Sequence, residues 1–167
     1  MVRNIVLAGF MGTGKSTAGR LVAGRLGMAF VDSDVEIEAL AGRRIADIFS
    51  QSGEETFRRI EAEVCQRLAA GANQVIATGG GALLNPATCA AFEQSGLVIC
   101  LRCELGEIIR RVGDDPERPL FGSRDAVKRL LAARADAYAS LPHQIATTHL
   151  SPEQVAEEII TLWKSNG

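Results

Sequence analysis

Gly9-Phe10-Met11-Gly12-Thr13-Gly14-Lys15-Ser16 is the stretch on which the reading of this 167-residue chain turns. It fits the spacing G-x-x-x-x-G-K-[ST], in which glycines let successive backbone N–H groups converge on phosphate oxygens. So short a pattern gains force from its setting. Asn4 to Ala8, just before it, is a short apolar run that reads as a strand. Ala18, Leu21, Val22 and Leu26, just after it, repeat at helical spacing. Strand, glycine loop and helix in that order place the positive end of a helix dipole under bound phosphate. Gly12, Thr13, Gly14, Lys15, Ser16 and Thr17 are therefore the expected nucleotide-binding residues. Lys15 supplies charge to the β- and γ-phosphates, and Ser16 offers a hydroxyl to Mg²⁺.

Outward from this loop, apolar runs and helical stripes alternate to the end of the chain. Strands are expected at Asn4 to Ala8, Ala29 to Val31, Val75 to Thr78, Leu97 to Leu101 and Gln144 to Thr147. All are continuously apolar or β-branched, as strands covered on both faces are. Phe57, Ile60, Val64 and Leu68 form one helical stripe, and Leu105, Ile108, Ile109 and Val112 another. Asn85 before Pro86 marks a helix start, and Ser151-Pro152-Glu153-Gln154 has capping-box spacing. The fold class that follows is α/β: a five-stranded parallel sheet with helices on both faces, of the P-loop, nucleoside monophosphate kinase-like type. No repeat, linker or composition shift divides residues 1–167, so a single domain is expected. Gly113 to Gly122 holds two prolines and no periodicity, which makes about 113–123 the candidate lid.

Composition removes several function classes. Eighteen basic and twenty acidic residues give a formal charge of −2 with no basic run, which disfavours nucleic-acid binding. No apolar stretch approaches the roughly 20 residues a membrane span needs. Cysteines at 65, 89, 100 and 103 include one C-x-x-C pair without a second, so they read as ordinary thiols of a reducing, cytoplasmic protein.

Carboxylates appear after the second strand, as Asp32-Ser33-Asp34. Neither an apolar strand ending in aspartate nor the N-K-x-D guanine signature occurs, so motor, transport and GTPase readings lose support. Parallel strands open on one edge, which sets these acids beside the phosphate loop. Asp32 suits the metal's water shell and Asp34 an acceptor hydroxyl; capping of the next helix, near Val35, is the competing role. Val127, Leu130, Leu131, Arg134 and Tyr138 make one stripe, which turns Arg134 inward, where a charge needs a partner. Arg58 lies three residues before Glu61, which is placed to orient it. A guanidinium fork is the best grip on a carboxylate, so a ligand carrying one is implied, with structural ion pairs as the alternative.

Nearly the whole chain resembles the shikimate kinase family. Asp32-Ser33-Asp34-Val35-Glu36-Ile37-Glu38, Gly42, Ile45, Ile48-Phe49, Gly53-Glu54, Phe57-Arg58 and Glu61 carry the resemblance, followed by Gly79-Gly80-Gly81 and Arg118-Pro119-Leu120. The resemblance implies an ATP- and Mg²⁺-dependent enzyme that phosphorylates the 3-hydroxyl of shikimate, on the route to chorismate and the aromatic amino acids. It implies that Asp34, Arg58, Arg134 and the backbone of Gly79, Gly80 and Gly81 hold shikimate. It further implies that Arg118 closes over ATP, that Arg111 lies against adenine, and that Ser16 and Asp32 serve the metal. Lys15, Asp34 and Arg118 become the expected catalytic set, in a cytoplasmic enzyme expected to be monomeric. The chain departs from the family with Asp136 where a proline is common, with Pro142-His143 in place of Ala-Asp, and with Phe121 in the lid. Gluconate and nucleoside monophosphate kinases share the architecture, and a binding module that has lost catalysis is the reading outside enzymes; Lys15, Asp34 and Arg118 stand against the last.

Overall fold

The computed structural model describes residues 4–113 and 123–167. Five parallel strands form one sheet: β1 (Asn4–Ala8), β2 (Ala29–Asp32), β3 (Gln74–Ala77), β4 (Gly96–Arg102) and β5 (His143–Ala146), in the order β2-β3-β1-β4-β5. The expected strands are all present, with no end shifted by more than one residue. Thr78 and Thr147, expected as strand ends, fall just outside their strands. Each still donates its N–H across the sheet, Thr78 to Leu7 and Thr147 to Arg102.

The helices are α1 (Lys15–Leu26), α2 (Ser33–Ala41), α3 (Ile45–Ala70), α4 (Pro86–Ser95), α5 (Leu105–Gly113), α6 (Arg124–Ala139) and α7 (Pro152–Asn166). They cover both faces because side chains along a strand alternate. Ile5 and Leu7 of β1 pack with α1 and α7 on one side, and Val6 and Ala8 pack with α3, α4, α5 and α6 on the other. A third cluster, Ile37, Ile48, Phe57 and Val64, joins α2 to α3. Each such buried side chain contributes about 1.5 to 3 kcal/mol. With stability held in these layers, the rim at the strands' C-terminal ends is free to carry glycines and charges.

Both expected helix starts form. The Asn85 side chain accepts from the N–H groups of Ala87 and Thr88, and Ser151 with Gln154 closes a capping box. One feature went unforeseen: α3 bends at Gly53, where φ 83° and ψ 169° break the helical run before the turn that carries Arg58. Gly113, expected to begin the lid, closes α5, and Ser123, expected to end it, caps α6. The rest of that segment, Arg118 and Phe121 included, lies outside the described residues.

Candidate active site

The chain leaves β1 through Gly9, whose φ is +130° and where a Cβ would stand 2.3 Å from the carbonyl oxygen of Leu101. Only glycine lets the loop hug β4 so closely. The loop is then braced from within and below. Thr13 Oγ1 donates to Phe10 O at 2.7 Å, and Thr147 Oγ1 donates to Thr13 O at 3.2 Å. Helix α1 starts at Lys15 behind a left-handed Gly14. Lys15 Nζ donates to the loop's own carbonyls, Gly9 O at 2.6 Å and Phe10 O at 2.9 Å. A cleft of about 810 Å³ opens above, lined by Gly12 to Thr17, Asp32, Asp34, Gly79, Gly80, Arg111 and the stretch from Thr147 to Pro152.

Asp32 ends β2 and takes the capping role weighed from sequence. Its Oδ1 accepts from the Asp34 N–H at 2.9 Å, capping α2 at Ser33 rather than near Val35, while its Oδ2 accepts from Ser16 Oγ at 3.1 Å. One hydroxyl and one carboxylate side by side are hard oxygen donors suited to Mg²⁺. Among the described residues no group of three or more His, Cys, Asp or Glu gathers to hold a metal. That fits a cation which keeps waters and takes its remaining oxygens from nucleotide phosphates.

The loop after β3 brings the other residues together. A Cβ on Gly79 would fall 2.8 Å from Asp34 Oδ1 and 3.3 Å from Glu61 Oε2; on Gly80, 2.7 Å from Arg134 Nη1; on Gly81, 2.6 Å from Arg58 Nη1. Three consecutive glycines therefore lie against three of the expected site side chains, from three helices, with Glu61 beside the first, and any side chain on the triplet would displace one. The two arginines differ in their surroundings. Arg58 Nη1 donates to Glu61 Oε1 at 2.7 Å, with Glu54 at 3.6 Å from Nε. Arg134 has no carboxylate within ion-pair distance among the described residues; its guanidinium lies 5.7 Å from the Phe10 ring centre.

Arg111 also reaches the cleft, its Nη1 donating to Gly12 O at 3.0 Å and its Nε to Glu107 at 2.9 Å. Hydrogen bonds from Arg110 and then Arg111 hold the Glu107 carboxyl down to about 2. Both arginines thus stay tethered at any working pH. Thr17, expected with the loop, is largely exposed at the cleft edge.

Two neighbours of the glycine triplet escaped the sequence reading. Ser33, wholly buried, accepts the Gly79 N–H on its hydroxyl at 2.9 Å and so fixes the triplet to the acidic turn. Tyr138 donates its phenolic hydrogen to Gly80 O. The Asp-Ser-Asp spacing held the first signal; the second had none beyond the helical stripe, since β3 and α6 are far apart in the chain.

A family model described as shikimate kinase matches residues 11–164. The shikimate kinase of Symbiobacterium thermophilum is 47% identical over 98% of this chain and 98% of its own. That of Pelotomaculum thermopropionicum is 40% identical over 99% of this chain and 98% of its own. Among solved structures, the Acinetobacter baumannii shikimate kinase in complex with shikimate superposes with a TM-score of 0.92 at 35% identity, covering 99% of this chain and 95% of that one.

Proposed function

The chain belongs to the shikimate kinase family and is an ATP-dependent kinase, and we propose that it transfers the γ-phosphoryl group of ATP to the 3-hydroxyl of shikimate. The observation that carries this reading is the glycine triplet, with Asp34, Arg134 and Arg58 each against one residue of it, and with Asp34, Gly79 and Gly80 lining the same cleft as the phosphate loop. Two guanidinium groups and one carboxylate suit a small hydroxylated acid and offer no slot for a nucleobase.

In this reading Arg58 and Arg134 take the carboxylate of shikimate, and the backbone of Gly79, Gly80 and Gly81 lets the ring lie close. Asp34 accepts a hydrogen bond from the 3-hydroxyl and aims its oxygen at the γ-phosphorus. The new O–P bond forms as the bond from phosphorus to the β–γ bridging oxygen breaks, the hydroxyl proton passes along its hydrogen bond to Asp34, and ADP leaves. Lys15 and Arg118 neutralise the oxygens of the transferring group, alignment and charge being most of what this chemistry asks of a protein. Ser16 and Asp32 would hold Mg²⁺, which supplies charge neutralisation to the β- and γ-phosphates when bound. Arg111 flanks the adenine end, where the cleft runs toward Pro152.

Among the described residues no helix is long and apolar enough to cross a membrane. The free thiols at Cys65, Cys89, Cys100 and Cys103 support a reducing cytoplasm. We place the enzyme there, working as a monomer on a small molecule without nucleic acid or membrane. A coupled ADP-release assay across shikimate, gluconate and nucleoside monophosphates tests the reading. Turnover with shikimate alone is expected, and turnover confined to either rival acceptor overturns it.

A further inference from the structure

Arg134 poses a problem of placement. It belongs to the acceptor site, yet among the described residues no carboxylate fixes it, and the Phe10 face at 5.7 Å gives attraction without direction. Four residues further along α6, one turn away, stands Tyr138, 6% exposed and packed in the core cluster that includes Phe10 and Leu141. Its phenol donates to Gly80 O, and a Cβ on Gly80 would stand 3.5 Å from that hydroxyl and 2.7 Å from Arg134 Nη1. The phenol has a single hydrogen. With that hydrogen committed to the Gly80 carbonyl, only oxygen lone pairs face the guanidinium beside it. Gly80 is also the residue whose absent Cβ leaves room for Arg134 Nη1.

We propose that Tyr138 is a positioning residue for the acceptor: its hydroxyl ties α6 to the Gly80 carbonyl one turn from Arg134, a clamp that holds the carboxylate-binding group in register with the glycine triplet. This rests on the assignment of Arg134 to the shikimate carboxylate. The clamp fixes the part of α6 that carries Arg134 against the triplet before substrate arrives, so less conformational freedom is lost on binding. Burial raises the Tyr138 hydroxyl above the ordinary phenol range, although Arg134 opposes that shift. The group therefore remains a donor across the working pH range.

Tyr138→Phe keeps the ring and removes only the clamp. Its expected signature is a KM for shikimate raised about tenfold, the upper end of what one hydrogen bond contributes. The kcat and the KM for ATP should stay within about twofold, while the stranded Gly80 carbonyl lowers the melting temperature modestly. A merely structural role would disturb both substrates together, and that outcome overturns the proposal, as does an unchanged KM for shikimate. Arg134→Ala, measured alongside, separates the premise from the inference. If it leaves shikimate affinity intact, the site assignment itself fails; if it abolishes binding while Tyr138→Phe does nothing, only the clamp fails. Should Tyr138→Phe not fold, the unaltered protein still decides. Tyr138 is the only tyrosine in the chain, so ring-labelled tyrosine gives one set of NMR signals. Those signals are expected to shift as shikimate saturates the enzyme, and signals that stay fixed overturn the clamp.

Discussion

Replacing Arg58 and Arg134 one at a time by alanine should separate two residues that a sequence treats alike. Arg58 is already paired within the protein, 2.7 Å from Glu61, whose side chain is 6% exposed. Removing it strands a carboxylate that also lies near Asp34 across Gly79. Breaking a buried pair in this way costs about 3 to 5 kcal/mol. A third of the Arg58 side chain is exposed, and solvent screening lowers the expectation to about 2 kcal/mol. For a chain of this length that is a fall of about 4 to 8 °C in melting temperature. Arg134 strands nothing when removed, because no described carboxylate faces it; its loss relieves the desolvation of an inward cation. The melting temperature of Arg134→Ala should hold within about 2 °C or rise. Both variants should bind shikimate at least about thirty-fold more weakly by calorimetry, the lower end of what losing a guanidinium–carboxylate contact costs. Equal destabilisation by the two substitutions would refute the distinction, and undiminished affinity in both would refute the acid-binding role.

Gly79→Ala should leave the fold intact, because the atoms its Cβ meets are side-chain ends. It should cost about tenfold in kcat, since Asp34 must retreat by about half an ångström from its position against the triplet; an unaltered kcat in the coupled assay would remove Asp34 from the reacting hydroxyl. Arg118→Ala is expected to lower kcat on the order of 10³-fold with a smaller effect on shikimate affinity, and a mild kcat defect would take Arg118 out of the transfer step. Burial pushes the Cys65 thiol up to about 12 and the Cys100 thiol up to about 11. At pH 8 both should alkylate on the order of 10²-fold or more slowly than an ordinary thiol, and peptide mapping that finds Cys65 labelled as fast as Cys103 would contradict its burial. Because the folded values lie above the unfolded one, the stability these thiols contribute is whole below about pH 9 and is lost as pH rises toward 12.

Local patterns carried most of the architecture. The continuous apolar character of Ile5 to Ala8 and Leu97 to Leu101 announced strands covered on both faces, and helical stripes between them implied parallel connections. Strand ends proved less legible, because they depend on the neighbour's register: Thr78 and Thr147 look like strand residues and still bond across the sheet, but fall beyond the ladder. The phosphate loop could be read because its work is done by residues adjacent in the chain. Arg58 with Glu61 was readable for the same reason, being three residues apart on one helix. Ser33 against Gly79 and Tyr138 against Gly80 join segments 46 and 58 residues apart, and no local rule announces such pairs. The break at Gly53 was hidden because glycine inside a helical stripe looks merely unfavourable until its dihedral angles are known.

The posture of Lys15 has a consequence for which molecules the loop accepts. Its ammonium sits on two backbone carbonyls, so an incoming nucleotide must first draw it away from bonds of 2.6 and 2.9 Å. A β-phosphate oxygen can compensate for that displacement; adenosine or AMP presents none and leaves the amine where it rests. These two bonds thereby make a β-phosphate the condition for engaging the lysine, and the loop is expected to favour ATP and ADP over shorter phosphate chains before the base is inspected.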